Sequence, residues 1–83
     1  MSAHPLPPGD NLLVESLEDI LEKAARIAER EGARALCERA RTLRDTVLDW
    51  RECPPSHDER DDITRKILGL HVTLSRLMRG ERV

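Results

Sequence analysis

The residues best suited to chemistry in this 83-residue chain are Cys37, Cys53, His57 and His71. Thiolate and imidazole are the usual zinc ligands, and Cys53 and His57 stand four positions apart. A zinc site needs three or four such groups converging on one point. No Cys-x-x-Cys or His-x-x-x-His pair anchors one here. His71 falls on the flank of an apolar stripe, where a partly buried histidine is expected. Catalysis has less to work with. The chain has no glycine-rich phosphate loop and no nucleophile paired with a base, and its carboxylates lie on polar helix faces. No catalytic residue, metal or cofactor is expected, and the chain does not read as an enzyme.

The elements that carry these side chains are helical. The clearest runs from Ser56 to Gly80, where Ser56 and Glu59 have the spacing of a capping box. Asp58, Asp61 and Asp62 lie near the positive end of the helix dipole, and Arg76 and Arg79 near the negative end. Gly80 suits the left-handed residue that closes a helix. Between these signals, Ile63, Ile67, Leu70, Leu74 and Leu77 recur at spacings of three and four, one stripe on a helix.

Two further stripes precede it. Leu13, Leu17, Ile20, Ala24 and Ile27, widened by Val14, Leu21, Ala25 and Ala28, predict a helix over 11–31, with Asp10 or Asn11 as its cap. Leu36, Ala40, Leu43, Val47 and Trp50 predict another over 33–52, which Cys53-Pro54-Pro55 must end because proline cannot continue a helix. A straight helix through Gly32 would set these two stripes about 110° apart. A break at Gly32 lets both face one core. The expected fold is all-α, a small up-down-up three-helix bundle; the alternative is a helical hairpin with a long first helix. Residues 1–9, rich in proline, are expected to form a flexible arm, leaving 10–83 as a single helical domain.

Composition bounds the partners. Hydrophobic residues make up 39% of the chain, yet Phe and Tyr are absent and Trp50 is the only aromatic. So lean an aliphatic core in a short chain favours completion by homo-oligomerisation. Charged residues are 36% and mixed in sign, and the net charge of −2 argues against bulk attraction to nucleic acid or an anionic membrane. No apolar run is long enough to cross a bilayer, and the N-terminus lacks the basic-then-apolar order of a signal peptide. Cys37 and Cys53 would lie roughly 24 Å apart along one helix, too far for a disulfide. The expectation is a cytoplasmic protein with reduced cysteines.

The last helix carries a second feature. Leu68 and Val72 fall opposite the main stripe, bordered by Arg65, Arg76 and Arg79. A helix packed on one side does not need them, so they predict a second contact face for self-association or a partner protein. The segment from Leu68 to Arg82, LGLHVTLSRLMRGER, resembles the recognition end of a helix-turn-helix repressor. That resemblance implies a turn at the glycine, with His71, Thr73, Ser75, Arg76 and Arg79 facing the DNA major groove or phosphates. Ser56-His57-Asp58 with Arg60 also resembles the phosphoacceptor box of sensor kinases, although it opens the last helix and Ser56 is expected to act as a cap.

The leading expectation is a small helical protein-interaction module, an adaptor, regulator or chaperone-like subunit that self-associates or docks on a partner protein. The alternative is a helix-turn-helix DNA-binding regulator using the basic C-terminal helix.

Overall fold

A computed structural model describes residues 7–80. They form three helices, α1 (Pro8–Arg26), α2 (Ala33–Asp49) and α3 (His57–Met78), each packed on the other two, with α1 and α2 the closest pair. The all-α expectation is met. The core is the three stripes brought together: Leu17, Ile20 and Ala24 from α1, Leu36, Ala40, Leu43 and Val47 from α2 with Trp50 just beyond it, and Ile63, Ile67, Leu70, Leu74 and Leu77 from α3. Leu13, Val14, Leu21 and Ile27 pack around its edge, half-buried. Ala25 and Ala28, expected to widen the first stripe, are exposed.

α1 starts earlier than expected, inside the last residues of the stretch read as an arm. Residues 1–6 lie outside the described residues, but Pro8 and Gly9 are already helical and Pro7 is the N-cap. Proline fits there because its missing N–H falls where the first turn has no acceptor to offer, and its φ is preset for helix. Neither Asp10 nor Asn11 is the cap; both donate their backbone N–H to the Pro7 carbonyl at 3.0 Å.

The chain does break before α2, although over six residues rather than at one. α1 ends at Arg26, five residues short of the expected end, and Ile27 to Gly32 reverse direction through tight i→i−3 bonds such as Arg30 N–H to Ile27 O at 2.9 Å. Gly32 has φ +91° and is the N-cap of α2, not the closing residue of α1. Its carbonyl accepts the first helical bond, from Leu36 N–H at 3.1 Å. The long first helix does not form.

α2 likewise unwinds early. From Trp50 to Cys53 it tightens into turns, and Pro54-Pro55 then stop it. The Ser56 side chain accepts from Glu59 N–H at 3.1 Å, as the cap requires. Glu59 does not complete a reciprocal box: its carboxylate accepts a bond from the Trp50 indole N–H at 3.3 Å. At the far end Gly80 is left-handed, φ +84°, and bonds back to the Leu77 carbonyl at 3.0 Å, as expected of a closing glycine.

Candidate functional site

α3 runs unbroken for 22 residues, through Gly69, so the turn that a helix-turn-helix resemblance implies is not formed there. The residues assigned to DNA do not gather on one side. His71 and Thr73 are both half-buried, on opposite flanks of the core stripe, about 160° apart around the helix. Ser75, Arg76 and Arg79 are exposed. Two residues apart on a helix is a poor spacing for a shared face, since side chains meet at three and four.

The expected interaction residues do share a face. Leu68 is 60% exposed and Val72 is 53% exposed, one turn apart on the side of α3 away from the core. Arg65, Arg76 and Arg79 are exposed beside them. On an ideal helix all five lie within about 40° of Val72. The core needs only the stripe from Ile63 to Leu77, so the protomer offers Leu68 and Val72 nothing to pack against. Leu12, at 63% exposure, is the comparable case on α1, where it stands beside Asn11 and Glu15 and one turn after the exposed Pro8.

Gly69 adds to this surface. It is mid-helix, and a Cβ built on it would meet nothing within 4 Å. A glycine at such a site costs helix stability of about 1 kcal/mol relative to alanine, and the protomer supplies no close contact that requires it.

A polar cluster at one end of the bundle went unforeseen. Asp10 is 3% exposed, and its Oδ2 lies 3.1 Å from Arg60 Nη2. The Arg60 guanidinium stands over the Trp50 ring, 5.8 Å from its centroid. The starts of α1 and α3 are thus tied to the end of α2 through one arginine. A signal was present: Asp10 continues the spacing Leu13, Leu17, Ile20 backwards by three, and Arg60 does so for Ile63 and Ile67. Charged residues in core register call for partners, and these two are partners to each other. At the other end Arg30, from the α1–α2 link, donates to the Leu77 carbonyl.

The metal-capable residues are dispersed. Cys37 is half-buried and Cys53 exposed, both as free thiols, and His57 is exposed with Asp61 at 3.8 Å. Among the described residues no three His, Cys, Asp or Glu side chains come together as metal ligands would. A shallow groove of about 480 Å³ runs between α2 and α3, lined by Ala35, Glu38, Arg39, Thr42, Lys66 and the edges of Leu43 and Leu70. Among the described residues no helix is long and apolar enough to cross a membrane. No protein-family model, curated protein or solved structure matches the chain.

Proposed function

We propose that this chain is a small helical protein-interaction module, an adaptor, regulatory or chaperone-like subunit whose working surface is the outward face of α3. It acts by self-association or by docking on another protein. The observation that carries this reading is the exposure of Leu68 and Val72 together on a helix whose opposite stripe already fills the core. Two adjacent aliphatics left in water are stabilised by a partner's apolar surface, at about 1.5–3 kcal/mol per fully buried side chain. The lean aliphatic core points the same way, and two unpaired cysteines fit a reducing compartment such as the cytoplasm.

The test is sedimentation of the wild type and of Leu68→Glu/Val72→Glu over a concentration series. The wild type is expected to associate in the micromolar range. The double variant is expected to stay helical by circular dichroism and to sediment as a monomer. Wild type that stays monomeric and captures no protein partner would remove the proposal.

DNA binding is the competing reading, favoured by one observation, the exposed Arg65, Arg76 and Arg79 on that same face. Contacts to phosphate weaken steeply as salt rises. Duplex DNA retained with sequence preference at physiological salt would reverse the ranking.

A further inference from the structure

The outward face of α3 is longer than its apolar centre. Asp58, Asp61, Arg65, Leu68, Val72, Arg76 and Arg79 follow one another at intervals of three and four and are all exposed. On an ideal helix each lies within about 40° of Val72. α3 therefore carries two stripes, back to back: one buried and aliphatic, the other exposed, acidic at its start, aliphatic in its middle after Arg65, and basic at its end.

That order is self-complementary in one direction only. The acidic pair Asp58 and Asp61 is centred about nine residues, roughly 13 Å, before Leu68 and Gly69, and the basic pair Arg76 and Arg79 about nine residues after them. Two copies of α3 laid antiparallel, with their two-fold axis at Leu68 and Gly69, place each acidic pair beside the other copy's basic pair. The Leu68 side chains of the two copies then meet at the centre, and each Val72 lies one turn out, beside the other copy's Leu68 and opposite its Arg65. A parallel arrangement sets acid on acid and base on base. Gly69 lies beside the axis at the edge of this face, about 60° from Val72.

Resting on the interaction-module reading, we infer that the partner of this face is a second copy of the chain, bound as an antiparallel α3–α3 two-fold dimer. The charges choose partner and direction, and the aliphatic centre supplies most of the affinity. The dipole of α3 already favours acid at its start and base at its end. A second copy is the partner that this order fits without further assumption, because an isologous interface must be complementary to itself.

The test uses the full chain in sedimentation velocity, with circular dichroism confirming that each variant stays helical. Asp61→Arg alone and Arg76→Asp alone each set like charges together twice in an antiparallel dimer. Each is expected to weaken association by about tenfold or more. The variant with both substitutions restores opposite charges and is expected to return to within about threefold of wild type. Orientation is read separately with a short bis-maleimide in a Cys37→Ser/Cys53→Ser background. Asp58→Cys chains are expected to cross-link to Arg79→Cys chains when mixed, and not to one another. Association through Leu68 and Val72 that ignores Asp61→Arg, lacks rescue in the double variant, or cross-links Asp58→Cys to itself would overturn the antiparallel dimer while leaving the interaction surface standing. Association that ignores Leu68→Glu/Val72→Glu would overturn both.

Discussion

Asp10 Oδ2 accepts a hydrogen bond from Arg60 Nη2 at 3.1 Å, joining the first turn of α1 to the first turn of α3 across fifty positions of the chain. The two ends of this pair differ in surroundings. The Asp10 side chain is 5% exposed and that of Arg60 is 44% exposed. Burying the carboxylate is costly, and the arginine offsets that cost while its other nitrogens remain reachable by water.

Removing the carboxylate tests how much the pair contributes. Asp10→Ala leaves Arg60 able to rehydrate, so the loss should be about 1–2 kcal/mol rather than the ~3–5 kcal/mol of breaking a fully buried pair. The melting temperature should fall by about 4–8 °C per kcal/mol in a domain of this size. Glu22→Ala, which breaks the exposed 2.6 Å pair with Arg26, should change stability by no more than about 0.5 kcal/mol. Equal effects from the two variants would mean that burial of Asp10 contributes nothing specific.

Leucines on the two sides of the fold should behave differently. Leu74 is 4% exposed and central to the α3 stripe, so Leu74→Ala should cost about 2–5 kcal/mol, enough to unfold much of so small a domain. Leu12 is 63% exposed, and Leu12→Ala should stay within about 0.5 kcal/mol of wild type in urea denaturation. A large loss at Leu12 would place an unrecognised contact on α1.

The three stripes were legible because period and punctuation agreed. Every expected stripe residue of α2 and α3 is buried, and Pro54, Pro55, Ser56 and Gly80 act where their chemistry requires. Element ends were less legible, for a physical reason in each case. Pro8 reads as a helix breaker from sequence, yet at the first helical position its lost donor costs nothing. Ile27 continues an apolar period into a segment that is turn rather than helix, because half-burial at a helix end satisfies the same pattern. Asp10 read as a cap because short acidic residues usually are. Its register with Leu13 and Leu17 was the stronger signal. At the candidate surface, Leu68 and Val72 were readable from their angle to the core, since exposure follows from a stripe the core does not use. Thr73 and His71 were drawn into a DNA-facing set by resemblance, and helical geometry separates them.

Two glycines should respond to alanine with opposite sign. Gly32 has φ +91°, which a side chain adopts at a cost of about 1–2 kcal/mol, so Gly32→Ala should destabilise the fold by that amount. Gly69 is helical with open space beside it, and Gly69→Ala should stabilise the protomer by about 0.5–1 kcal/mol. Urea denaturation at a concentration well below association measures both. A loss of stability at Gly69 would show that the protomer itself needs the glycine.

The cap of α3 offers an independent local check. Ser56→Ala removes the acceptor of Glu59 N–H and should cost about 1 kcal/mol, with fraying read from faster amide exchange over Asp58 to Arg60. Unchanged exchange there would mean that the Trp50–Glu59 bond holds the first turn without the serine.

The most direct measurement of the interaction surface is an amide nitrogen–proton correlation spectrum recorded over a dilution series of the wild-type chain. Signals from Arg65, Leu68, Gly69, Val72 and Arg76 should move together with concentration, while those of Glu15, Glu18 and Glu22 on α1 stay fixed. Concentration-independent spectra, or shifts centred on Leu12 or on the groove at Ala35 to Thr42 instead, would contradict the assignment of self-association to the outward face of α3.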